Sequence, residues 1–200
     1  MYDLKERALI GGHPALDFVN SLEYRGEARE RNYVPNFTAL ACWSVRVGLL
    51  TKRQEFVLRV ASAENASGAA RVWRDLMVLR EALSKTFLAM AQQYKPPMEA
   101  LVVINAQAAS VHKYRALRHS ELGLIWAWAG EPTDLRRLQW ELVRCATNLL
   151  VSGTNRIRKC AHEPCDWMFL DTSRNGQRRW CQMETCGNLS KVRRFRKKRL

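Results

Sequence analysis

Four cysteines in the last quarter of the chain are the residues whose type and spacing most directly specify chemistry: Cys160 and Cys165, then Cys181 and Cys186. Four residues separate the members of each pair and fifteen separate the pairs, enough chain to fold back and gather four sulfurs around one ion. Thiolates are soft ligands, and closely spaced cysteine pairs are the usual signature of tetrahedral zinc. With every position taken by protein sulfur, no site is left for water or substrate, so a single zinc here is expected to be structural. His162 lies inside the first pair and is the alternative ligand; a surface histidine is the plainer reading.

The second chemical feature is charge. Between residues 191 and 199, seven of nine side chains are basic, interrupted only by Val192 and Phe195. Wound as a helix, Lys191, Arg194 and Lys198 line up on one side while Leu189, Val192 and Phe195 drift along the other. The apolar side is expected to pack and the basic side to meet phosphate. Arg193, Arg196, Lys197 and Arg199 flank these faces, and Arg178 and Arg179 add to them from the preceding loop. Together they form a surface suited to nucleic acid, with affinity that falls as salt rises. Phosphate contacts position a protein without specifying a sequence, so a target is not legible here. A solubilising tail or a patch for anionic membrane are the plainer alternatives.

The distribution of charge marks the same segment. The chain carries 33 basic against 19 acidic residues, net +14; residues 156–200 hold 13 against 4, net +9, leaving 20 against 15 and only +5 for the first 155. A hydrophobic fraction of 47% is ordinary for a globular protein and does not suggest disorder. The longest apolar run, at 122–129, is far short of the ~20 residues needed to span a bilayer, and residues 1–7 open with charges rather than a signal core. A soluble, unexported, cytoplasmic protein is expected, in whose reducing surroundings paired thiols hold metal rather than form disulfides. Cys42 and Cys145 lie in apolar helical stretches and are expected to be buried and inert.

These residues must be carried by elements, and the first 153 positions read as mainly helical. Residues 11–20, beginning Gly11-Gly12-His13-Pro14, lead into an apolar stretch of ambiguous type. Helices are predicted over 36–50 and 51–62, capped by Asn36 and Thr51, over 67–94 on the stripe Val72, Leu76, Leu79, Leu83, Phe87 and Met90, and over 98–109. Segments 114–117 and 122–129 read as a hairpin, with Leu122, Leu124, Trp126 and Trp128 on one face. A last helix begins at Pro132 and carries Leu135, Leu138, Leu142, Cys145 and Leu149 inward. Within the cysteine module, 166–170 and 178–180 are predicted as two short strands around a turn, with Trp167, Phe169 and Trp180 as packing and a helix from near Cys186. The fold class is therefore mainly α with a small β-hairpin (α+β), followed by a small zinc-ribbon-like or treble-clef-like finger that ends in a basic helix.

The finger resembles the CGNR zinc fingers through Arg156-Ile157-Arg158-Lys159-Cys160, the run from Cys165 to Asp171, Arg178-Arg179-Trp180-Cys181, and Cys186-Gly187-Asn188 followed by Lys191. The remainder is similar to the ABATE domain that precedes such fingers in bacterial stress-induced transcription regulators, through Gly11-Gly12-His13, Leu16-Asp17-Phe18-Val19-Asn20 and Leu79-Arg80-Glu81-Ala82-Leu83. The resemblance implies an ABATE-like domain over 1–153, a finger over 154–200, the four cysteines as zinc ligands and the basic helix as the DNA contact. It departs at one position: Leu189 stands where the motif that names the finger has arginine.

His13, Asp17 and Asn20 form no recognisable nucleophile and base, so no catalysis is assigned to them; Asp17 and Asn20 read as makers of local backbone hydrogen bonds. Trp126 and Trp128 invite a pocket for an unknown small-molecule effector, although alternating aromatics more often fill a core. The expected function is zinc-dependent DNA binding in transcription control, by a bacterial, nucleoid-associated protein for which a homodimer would be suitable. RNA binding, or a protein-interaction or small-molecule-binding module with a structural zinc, are the alternatives.

Overall fold

Short polar side chains start the helices where the sequence places them. In the computed structural model, which describes residues 9–121, 123–153 and 155–197, helix α1 (Pro14–Val19) starts at His13 and α2 (Phe37–Arg46) at Asn36, whose Oδ1 accepts from the Ala39 N–H at 2.9 Å. The sequence readings at residues 1–7, Leu122, Lys198 and Arg199 lie outside the described residues. Helix α3 (Lys52–Glu64) opens with a reciprocal box in which Thr51 accepts from the Gln54 N–H at 3.2 Å and Gln54 accepts from the Thr51 N–H at 2.8 Å. Asn65 ends α3 and caps α4 (Ala66–Ala91), accepting from Gly68 at 2.9 Å.

Helix α4 is the axis of the molecule. Its stripe Val72, Leu76, Leu79, Leu83 and Phe87 is buried against α1, α2, α5 (Met98–His112) and α6 (Arg137–Val151). Full burial of a side chain such as Phe87 contributes roughly 1.5–3 kcal/mol. Helix α6 buries Leu138, Leu142, Cys145 and Leu149 as expected but begins five residues later than Pro132 suggests. Pro132 lies instead in a turn closed by the Asp134 N–H to the Glu131 carbonyl at 3.0 Å, and the Asp134 carboxylate accepts from the Arg136 N–H at 2.9 Å ahead of the helix.

Strands β1 (Leu22–Glu23) and β2 (Arg31–Asn32) make a small ribbon beside α1, and β3 (Arg115–Ser120) pairs antiparallel with β4 (Gly123–Trp128) in the expected hairpin. Its aromatics divide. Trp128 packs on the buried Trp140 at 5.5 Å and donates to Glu141, whereas Trp126 is 60% exposed. The two therefore neither fill one core nor enclose one pocket. Cys42 also departs from expectation: it is exposed on α2, with its thiol 3.6 Å from Glu55, because the α2 stripe turns Trp43 inward instead.

The dipeptide Arg80-Glu81 secures the first segment. Arg80 is 3% exposed and donates to Ser21 Oγ at 3.0 Å and Asn32 Oδ1 at 2.9 Å, while Glu81 holds Arg25, which in turn donates to the Val19 carbonyl. Burial, then the charge of Arg25, pushes the Arg80 pKa down to about 10, so it stays charged at neutral pH.

Candidate metal centre and basic helix

The first cysteine pair sits at the tip of a hairpin made by β5 (Ile157–Lys159) and β6 (Met168–Leu170), paired Ile157 with Leu170 and Lys159 with Met168. This corrects the predicted pairing: 166–170 does hold a strand, but its partner precedes the cysteines, and 178–180 is irregular. Local apolar pattern could not decide between the two neighbours. What decides is the knuckle: the Cys160 N–H donates to the Trp167 carbonyl at 2.8 Å and the Cys165 N–H to the His162 carbonyl at 2.7 Å, closing the chain between the strands.

The second pair lies at the start of a helix. A single π-helical turn (Met183–Gly187), closed by the Gly187 N–H to the Gln182 carbonyl at 3.1 Å, carries Cys186 and runs into α7 (Asn188–Lys197). A hairpin pair completed by a helix-start pair is the treble-clef arrangement rather than two facing ribbons. Trp167 and Phe169 are buried beneath the sulfurs, with Trp180 and Ile10 packed beside them.

The ligand atoms of Cys160, Cys165, Cys181 and Cys186 all lie within 4.8 Å of one another. Cys181 Sγ is 3.5 Å from Cys186 Sγ and 3.8 Å from Cys165 Sγ. Zinc at about 2.3 Å from each of four sulfurs requires tetrahedral edges of about 3.8 Å, so the cluster fits one structural zinc ion. Crowding sets the protons. Hydrogen bonds from the Cys165 and Cys181 thiols hold Cys160 well below the ordinary thiol value; the same contacts with Cys160 push Cys165 and Cys181 up, and burial pushes Cys186 up. Four thiolates this close need a divalent cation in place of the shared protons. His162 is not part of the cluster; its Nδ1 lies 2.9 Å from Ser190 Oγ, pinning α7 to the knuckle.

Two side chains hold the loop between the pairs. Asp171 is fully buried and accepts from the Ser173 N–H at 2.9 Å, the Ser173 hydroxyl at 2.6 Å and the Arg178 N–H at 2.9 Å. Burial acts to raise its pKa, but these donors outweigh burial and hold it below the ordinary carboxylate value. Arg178 lies over the Phe169 ring at 4.3 Å and donates to the carbonyls of Trp180 and Cys181. It is half-buried, with its guanidinium engaged inside the finger. Arg179 remains exposed over Trp180, and Lys191, Arg193, Arg194, Arg196 and Lys197 are exposed along α7. Leu189, Val192 and Phe195, expected to pack, are 56%, 49% and 57% exposed, on a helix whose Arg193 donates to the Glu163 carbonyl at 3.1 Å.

The finger is fastened to the helices through the first segment, where the sequence predicts only local contacts for Asp17 and Asn20. Asp17 makes one, accepting from the Gly11 N–H at 2.8 Å. Asn20 instead reaches the finger: its Nδ2 donates to the Met168 carbonyl at 2.8 Å and its Oδ1 accepts from the Met168 N–H at 3.0 Å. The Leu170 N–H donates to the Gly11 carbonyl at 2.8 Å, so the Gly-Gly segment serves as a further edge for β6. A Cβ at Gly11 would fall 2.8 Å from the Asp17 nitrogen, and Gly12 holds φ +70 against Leu170. Met168 and Ile157 are buried in the same core as α1 and α4. A short polar residue closing an apolar run was visible in the sequence, but a partner 148 residues away was not.

No curated relative matches the chain. Two families do: residues 156–199 match the CGNR zinc finger, and residues 12–153 match ABATE, described as a putative stress-induced transcription regulator. With more than half its length matched to the second and its zinc cysteines inside the first, the chain belongs to the ABATE family and ends in a CGNR zinc finger.

Proposed function

We propose that this chain is a zinc-stabilised DNA-binding protein of transcription control, in which the finger presents α7 to the duplex and the helical part regulates that presentation. The observation that carries the reading is α7 itself: Lys191, Arg193, Arg194, Arg196 and Lys197 stand exposed on a helix whose start is fixed by Cys186 and by the Ser190 contact to His162. Ten residues give a rod of about 15 Å, a length suited to the major groove. Exposed Leu189, Val192 and Phe195 add apolar groups of the kind that meet thymine methyls.

Trp167 is buried and Trp180 packs beside the sulfurs under Arg179, so neither supplies a free platform for unpaired bases. That favours DNA over RNA. His13 caps α1, Asp17 holds Gly11 and Asn20 holds Met168, which supports a structural rather than a catalytic role for this group. No described helix is long and apolar enough to cross a membrane, and a nucleoid-associated location in a bacterial cytoplasm accords with the reading.

The test is binding of metal-quantified protein to labelled duplexes, random and genomic, across a salt series. Tight, salt-dependent binding with a preference among fragments is expected. Equal binding to every fragment would reduce the surface to a nonspecific cationic patch, and no binding at low salt would transfer the case to a protein-interaction module.

A further inference from the structure

The sulfurs of the metal centre are not buried evenly. Cys160 and Cys181 are 5% and 3% exposed, whereas Cys165 and Cys186 are half-buried. Both half-buried residues line a cavity of about 260 Å³ that also takes in Cys181, Ile10, Trp167 and the exposed Leu189. Such a space admits a molecule the size of water, whose share of liquid volume is about 30 Å³. The buried Cys181 sulfur stands 3.5 Å from Cys186, closer than its 3.8 Å to Cys165. Oxidation of a cysteine follows its thiolate character and its exposure, and metal ligation keeps these sulfurs as thiolates. The remaining cysteines are poorer competitors: Cys145 is buried, and partial desolvation together with the Glu55 carboxylate 3.6 Å away pushes the thiol of the exposed Cys42 up.

We propose that the metal centre is a peroxide-sensitive site in which Cys186 is the sulfur attacked and Cys181 the sulfur that resolves it. The Cys186 thiolate attacks one peroxide oxygen, the O–O bond breaks, a sulfenic acid forms and hydroxide leaves. The Cys181 thiolate then attacks the Cys186 sulfur, forming the disulfide and expelling a second hydroxide. Two thiolates lose two electrons, and the peroxide, with two protons from solvent, becomes two waters. Cys160 and Cys165 alone are too few to retain the ion at structural affinity. Cys186 lies in the turn that starts α7, so oxidation removes the metal anchor of the basic helix and leaves it held by the Ser190 and Arg193 contacts to the knuckle; that this alters DNA binding rests on the function proposed above.

The zinc-loaded full chain is treated with hydrogen peroxide while released zinc is read with a chromogenic chelator and disulfides are mapped by differential alkylation and mass spectrometry. One zinc released per Cys181–Cys186 disulfide is expected, with Cys42 and Cys145 still alkylated as free thiols and with recovery on adding dithiothreitol and zinc. Leu189→Trp fills part of the cavity and should slow release several-fold, while Leu117→Trp on the distant hairpin should not. Zinc retained at peroxide levels that oxidise Cys42, a first disulfide between Cys160 and Cys165, or unchanged release in a zinc-loaded Leu189→Trp protein would overturn the proposal. These readouts are independent of nucleic acid, so a peroxide-inert centre leaves the DNA reading standing, and the converse also holds.

Discussion

A carboxylate and a guanidinium carry more of this structure than their places in the sequence suggest. Asp171 satisfies three donors inside the finger. Asp171→Ala should cost about 1–3 kcal/mol, because buried donors lose their acceptor. The sign of the pH effect follows from a pKa held below its ordinary value. The contribution is complete above the ordinary carboxylate pKa of about 3.9 and is lost as pH falls through the folded value, so the melting difference between parent and variant should stay flat from about pH 6 to about pH 8. Arg80 donates from one guanidinium nitrogen, Nη1, to both Ser21 Oγ and Asn32 Oδ1. Arg80→Ala should therefore lower stability by about 1–3 kcal/mol in denaturant unfolding, because those buried acceptors lose their donor.

Among the elements, β6 and α7 define what the finger does. Strand β6 is held on one edge by β5 and clasped from the other side by Gly11 and Asn20. Asn20→Ala leaves the Met168 N–H and carbonyl buried without partners, a loss of about 2–4 kcal/mol. The expected outcome is a lower melting temperature together with weaker zinc retention in a chelator competition, even though Asn20 lies far from the sulfurs. Unchanged retention would mean that the finger folds without its clasp. Helix α7 makes a different kind of prediction. Lys191→Gln with Arg194→Gln should reduce the slope of log affinity against log salt by about 2, with zinc content unaltered. Arg178→Gln should instead destabilise the finger, since that guanidinium is bonded to the Trp180 and Cys181 carbonyls.

At the scale of the whole molecule, the helices and the finger share a core: Ile157 and Met168 are buried among the side chains of α1 and α4. Zinc removal should therefore lower the melting of the helical part as well as unfold the finger. Calorimetry of the loaded protein should give one cooperative transition; two separate transitions, with the helical one untouched by chelator, would show the parts to be independent. Because the ligand sulfurs must lose protons to bind, zinc affinity should rise with pH across the neutral range.

The sequence by itself determined the features that depend on near neighbours: the four ligands and their metal, the caps at Asn36 and Thr51, the inward stripe of α4 and the charge of α7. The caps, the stripe and the charged face follow from spacing along one helix, whose period converts sequence distance into geometry, and the ligands follow from two short pairs of soft donors. Tertiary structure alone decided which strand pairs with β6, that Asn20 and Gly11 clasp the finger, that Arg178 turns inward, and that Leu189, Val192 and Phe195 stay exposed. An amide carries no record of which backbone it will meet 148 residues later, and an apolar stripe does not say whether anything will arrive to cover it.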